Sequence, residues 1–327
     1  MHPAFSVIIL TTLIGAGQGL FLALFTIESY AAFDLLPRQQ SAFYAVGSAI
    51  ALAFLVGGLV ASFFHLGRPE RAWRSATQWR TSWLSREVIV LPAFMGTVFL
   101  YGAAHWLDIN PVLAWLPTGA PVNVTAVLGT IGTVLAFALF VCTGMIYACL
   151  RFLREWHTWL TVANYILLGG ASGFTLAAAY AAGAAPELVR FFAGWALLIT
   201  AIGLVTRSAS LIRNARLKPR STLQSAIGIK HPHIVQKTQG AMGGSFNTRE
   251  FFHGRSAGFL RSIKWWFLAA AFAAPMVLLA MSMSDSGGGI ELLTMTFAIQ
   301  YLGLLVERWF FFAQANHPQN LYYQSVA

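Results

Sequence analysis

A histidine and a glutamate bracket the most polar stretch of an otherwise apolar region. Residues 65 to 88 read HLGRPERAWRSATQWRTSWLSREV, and AFYAVGSAIALAFLVGGLVASFF precedes them. His65 opens the stretch and Glu87 almost closes it, with Arg68, Arg71, Arg74, Arg80 and Arg86 in between. If the flanking runs are helices that cross a membrane, the connection returns the chain to the side it left. His65 and Glu87 then lie at one interface and can approach each other. Imidazole donates a hydrogen bond to a carbonyl oxygen, and a carboxylate carries a proton. A quinone asks for both, because its reduction takes two electrons and two protons while its tail stays in lipid. Trp73, Trp79 and Trp83 suit the water–lipid boundary, although tryptophan belts are common in membrane proteins. The competing reading makes Glu87 a helix-terminal acid, with Ser85 as the cap and the carboxylate at the positive end of the helix dipole.

Two further acids fall within apolar runs, where ionisable groups are costly and usually functional. Glu28 lies near the end of the first run, where simple reach to the interface would explain it. Glu307 precedes Arg308 in LVERWFFFAQ, which suggests a local ion pair or a pair with another helix. Other chemistries fit less well. Cys142 and Cys149 are two helical turns apart, about 10.5 Å, too far for a disulfide. No CxxC occurs, so the chain has no means of building a cysteine-ligated iron–sulfur cluster by itself. The eight histidines (2, 65, 105, 157, 231, 233, 253 and 317) sit at run ends or in connections. Axial haem ligands must face each other inside a bundle, so haem b is not expected, His65 with His157 being the pair to consider. The glycines of GAGQGLFLALF have no strand before them, which points to close helix packing rather than dinucleotide binding.

The elements that must position these residues follow from composition. The chain of 327 residues is 57% hydrophobic and 10% charged, against about 25% charged in soluble domains. Eight runs, at 5–33, 43–65, 86–106, 122–149, 158–183, 188–206, 263–283 and 291–313, are long enough to cross a bilayer as helices. The expected fold is all-α, a single polytopic membrane domain of eight transmembrane helices. Eighteen of the 21 basic residues fall on the even-numbered connections. Those connections, and both termini, are expected to face the cytoplasm. That rule also explains the net charge of +10, so no nucleic-acid partner is inferred. Connection 207–264 carries eleven bases and one acid, Glu250. Its Phe246, Phe251 and Phe252 beside basic residues suit a docking surface for a cytoplasmic partner, and its charge also suits anionic membrane lipid. A transporter is the competing class, but no internal repeat or matched pair of broken spans supports it.

The stretch from His65 to Val88 resembles the corresponding region of the dimethyl sulfoxide reductase membrane-anchor (DmsC-like) family. The likeness rests on His65-Leu66-Gly67, Arg71-Ala72 and Ser85-Arg86-Glu87, with a late Glu307, Arg308, Phe310 pattern and the eight-run count. The opening HPAFSVIILTTLIGAGQGLFLAL and the insert KHPHIVQKTQGAMGGSFNTREFFHG are similar to one branch, the anchors of cytoplasmic sulfite-oxidising molybdoenzymes. The resemblance implies a bacterial inner-membrane complex. A molybdopterin catalytic subunit would oxidise sulfite, and a ferredoxin-like iron–sulfur subunit would carry the electrons. The anchor would pass them to ubiquinone or menaquinone. It also implies that His65 and Glu87 form the quinone site, with Arg71, Trp73 and Trp83 around it, and that the anchor holds no haem. A dimethyl sulfoxide reductase, with electrons running the other way, is the alternative, as is a passive anchor whose partner binds the quinone.

Overall fold

The computed structural model describes residues 5–115, 117, 119, 121–218, 222–234, 257–284 and 289–315. Eight helical crossings are present among them, each long and apolar enough to span a membrane. The first six are α1 (Phe5–Ala32), α2 (Ser41–Phe63), α3 (Trp83–Trp106), α4 (Val124–Ala148), α5 (Trp159–Ala184) and α6 (Val189–Ala215). A short α7 (Leu223–Ile227) follows. The seventh crossing is built from α8 (Ala257–Leu268), a π-helical turn at Ala269–Ala273, and α9 (Ala274–Ser282); the eighth is α10 (Ile290–Ala313). The π-turn has a local cause. Pro275 has no N–H to donate into the preceding turn, and the widened turn absorbs the mismatch.

Eight alternating crossings bring Phe5 and Ala313 to the same end of the bundle. The arginine-rich connection lies at that end, and residues Pro69–Gln78 of it form an exposed 3₁₀ run. The opposite end carries a small antiparallel hairpin, β1 (Val112–Trp115) with β2 (Pro121–Asn123), turned through Gly119 at φ +84°. The sequence pattern marks this segment only as an irregular connection, since strands this short leave almost no periodicity to detect.

Two boundaries differ from the expectation in ways that matter. The sixth helix runs on to Ala215, past the expected end at residue 206. Arg207, the first base of the expected connection, is therefore inside a helix and 1% exposed. The third helix starts at Trp83, and its cap is Ser82, whose Oγ accepts from the Ser85 N–H at 3.3 Å. Ser85 is the third helical residue and not the cap.

Helices α1 and α5 are the most enclosed, and the others show much of their surface to the outside. Small residues let α1 and α5 meet. A Cβ on Gly19 would lie 2.4 Å from the Gly169 carbonyl oxygen, and one on Gly173 would lie 2.2 Å from Gly19 Cα. No side chain fits there without separating the helices, which is how small residues serve packing where lipid removes the hydrophobic drive. Gly173→Ala should therefore destabilise the protein by about 1–3 kcal/mol, the usual cost of overpacking. Thermal unfolding of the purified chain would read this as a lowered midpoint; an unchanged midpoint would contradict the contact.

Candidate functional site

Arg86 fixes the entry to α3. Its guanidinium donates to the carbonyls of Trp79 (2.9 Å) and Arg80 (2.8 Å) and lies 4.2 Å from the centre of the Trp83 ring. Arg74 on Trp73 and Arg80 on Trp79 repeat the pairing, at 5.5 and 5.3 Å. Arg86 thus ties the end of the connection to the first turn of α3, while the other two pairs join neighbours within the connection. Arg71 is exposed, 3.8 Å from Glu70, and Trp73 is 67% exposed.

Glu87 is the fifth residue of α3, beyond the first turn and its free N–H groups. The helix-terminal reading therefore loses its geometric basis. The side chain is partly buried, and its Oε1 accepts a 2.5 Å hydrogen bond from Thr143 of α4. It lines a cavity of about 20 Å³ between α1, α3, α4, α5 and α10, together with Gln18, Thr143, Tyr165 and Arg308. That volume suits one water molecule. It is far too small for a quinone ring.

Facing the same cavity, Arg308 lays its guanidinium 3.7 Å from the centre of the Tyr165 ring, with its Nε 3.7 Å from Glu307 Oε2. Glu307 Oε1 is 2.7 Å from Arg207 Nε. Glu307, Arg207 and Arg308 are each 5% exposed or less. With Glu87 they form a set of two acids and two arginines, neutral only while both acids are ionised. An apolar bundle tolerates such charges when they are mutually compensated. Around them Tyr147 stacks on Tyr165 at 5.8 Å, and Asn164 of α5 donates to Ser210 of α6 at 2.9 Å.

His65 lies at the same end but outside this cavity. It is exposed, two residues past the end of α2, and its Nδ1 is 3.3 Å from Ser6 Oγ. Partial desolvation there pulls its pKa below the ordinary 6.5. Glu87 bonds Thr143 and not His65. The structure thus brings Glu87 into a buried polar site and leaves His65, Arg71 and Trp73 on the surface of that end, while Trp83, in the first turn of α3, is half-buried. His157, the other histidine considered for haem, has its Nδ1 2.6 Å from the Ala148 carbonyl oxygen. Cys142 and Cys149 are both free. Of the 207–264 connection, Phe246, Phe251, Phe252 and Glu250 lie outside the described residues.

Sequence alone does not reveal Thr143, Tyr165 or Arg207 as members of the site. Thr143 and Tyr165 are ordinary residues of apolar helices and carry no local signal. Arg207 looks like the first base of a connection because its partner, Glu307, is on a different helix. Glu28 also departs from the expectation. It does not reach out to the interface: Tyr101 donates to its Oε2 at 2.6 Å, Thr125 donates to its Oε1 at 2.5 Å, and His105 Nε2 is 3.5 Å away.

Comparison with known proteins agrees with this architecture. The chain is 57% identical, over 327 residues and the full length of both chains, to the C subunit of the sulfite dehydrogenase of Allochromatium vinosum. The family model for the DMSO reductase anchor subunit (DmsC) matches residues 1–314. With that match covering nearly the whole chain and the eight crossings in place, the chain belongs to the DmsC family of membrane anchor subunits.

Proposed function

We propose that this chain is the quinone-reactive anchor of a sulfite-oxidising complex in the bacterial inner membrane. The observation that carries the reading is Glu87, a carboxylate set among apolar helices, facing Arg308 across a water-sized cavity. The full-length similarity to a sulfite dehydrogenase component supports sulfite as the electron source. The overall reaction balances as sulfite, water and quinone giving sulfate and quinol. A molybdopterin subunit and an iron–sulfur subunit carry the first part, and this chain serves the last.

The cavity volume limits how the residues act. The ring docks outside the cavity, near the end of α3, and Glu87 supplies it with protons. Glu87 gives its proton toward the ring oxygen and recovers one through the water-sized space beside Thr143. Arg308, across that space, balances the charge of the carboxylate between transfers. His65 hydrogen-bonds the second ring oxygen, while Arg71, Trp73 and Trp83 hold the ring at the boundary. The exposed arginines of the 3₁₀ run steer the iron–sulfur partner. The basic connections face the cytoplasm, as the positive-inside rule requires. The family match also fits a dimethyl sulfoxide reductase anchor, in which the same groups would receive protons from quinol.

The test is to purify the complex in detergent with and without this chain and to supply it with a short-chain quinone. Without it, sulfite-dependent reduction of a water-soluble acceptor should persist while quinone reduction disappears. Quinone reduction that survives the loss of the chain would place the quinone site on a partner.

A further inference from the structure

The hairpin end holds a second and larger cavity, of about 680 Å³, which the quinone reading does not use. It lies beneath β2, between α1 and α4, and Glu28, Tyr44, His105 and Asn123 line it. His105 is 6% exposed, and its Nε2 has only a long contact, 3.5 Å to Glu28 Oε1, with no close hydrogen bond among the described residues. Asn123 Oδ1 is buried without a hydrogen-bond partner among the described residues. Unpaired buried polar atoms are rare and call for an explanation. Here one such oxygen and a weakly held imidazole nitrogen line one space beside a carboxylate.

We propose that this cavity binds the primary-ammonium head group of a membrane phospholipid. A primary ammonium presents three donors. Glu28, Asn123 Oδ1 and His105 Nε2, in the tautomer that leaves it unprotonated, are the acceptors. The local charge favours a cation over an anion. Asp108 accepts from Ser41 and Glu187 accepts from Gln39, and both of those donors line the cavity. Arg38, the single arginine of the lining among the described residues, is exposed and 3.3 Å from Asp34, and it stands where the lipid phosphate would meet water. The apolar part of the ligand also has a path. Val127 and Ile131 of α4 line the cavity and are 36% and 47% exposed. Val134 and Phe137, both exposed, continue the surface along the same helix, giving an acyl chain a track into the hydrocarbon.

The test uses the purified full-length chain and native mass spectrometry, with phosphatidylethanolamine, phosphatidylcholine and phosphatidylglycerol of identical acyl chains. Phosphatidylethanolamine should be retained at about one per chain. It should be preferred about tenfold over phosphatidylcholine, whose quaternary head donates no hydrogen bond, a ratio in keeping with one charge-assisted bond. Glu28→Gln should abolish the preference. Asn123→Ala, which leaves the acid and its partners in place, should weaken it. Equal retention of the ethanolamine and choline lipids by the unaltered chain would overturn the proposal, and so would a preference that survives Glu28→Gln. Displacement of bound phosphatidylethanolamine by a short-chain hydroquinone would also overturn it, by assigning the cavity to a quinol.

Discussion

Glu87→Gln is expected to leave the chain folded and its complex assembled, and to slow quinone reduction by about 100-fold or more, the lower range for loss of a positioned acid–base group. Glutamine keeps the shape and can still accept from Thr143, so the α3–α4 contact survives. What it cannot do is exchange a proton, and it leaves Arg207 and Arg308 against the single charge of Glu307. Stopped-flow quinone reduction on the purified complex, with sulfite oxidation followed by a soluble acceptor as the control, separates the two effects. Normal quinone kinetics would remove Glu87 from the mechanism. His65→Ala should also slow quinone reduction while sparing assembly. Desolvation places the charging of His65 below the ordinary value of 6.5, so it is neutral at pH 7 and gains its charge only as pH falls through that lowered pKa. The corresponding inflection on the acid side of the activity profile should vanish in His65→Ala.

The second large effect is on stability. Arg207→Met removes one partner of a 2.7 Å buried pair and leaves Glu307 with Arg308 alone at 3.7 Å. Breaking a buried pair from one side costs about 3–5 kcal/mol, because the remaining charge is stranded. Glu307→Leu is expected to cost at least as much, since it strands Arg207 and leaves Arg308 with Glu87 alone. The double variant should recover most of the loss, because Arg308 then still has Glu87 across the cavity. Unfolding of the four proteins in detergent forms a double-mutant cycle that reads this directly. Single variants as stable as the parent would mean that the pair is dispensable.

The crossings are legible from hydropathy because lipid demands long apolar helices whatever their partners. The polar stretch after α2 is legible because arginines and tryptophans mark a boundary. What escapes are features defined by distant residues. Arg207 reads as the start of a connection until Glu307 is brought beside it. Glu28 reads as an interfacial acid until α3 and α4 supply Tyr101 and Thr125. The choice between Ser82 and Ser85 as cap turns on backbone geometry that either serine could satisfy. Glu87 itself stands out by its unusual place in the sequence, but Thr143 and Arg308, the groups it faces, come from α4 and α10.

The glycine contact between α1 and α5 also sets an order of events during synthesis. α1 can pair early with α2, where Gly17 approaches the Ala51 carbonyl and Gly58 approaches Ile14. Its other face waits for Gly169 and Gly173. At about 5–20 residues per second, the ribosome needs roughly 8–30 s to travel from Gly19 to Gly173. For that interval the first hairpin sits in the membrane with a bare groove, and for the earlier part of it Gln18, whose eventual acceptor is the Ala136 carbonyl of α4, is unmet. The nascent chain therefore passes through a stage at which an insertion factor or chaperone has a defined surface to shield, and that stage ends when α5 arrives.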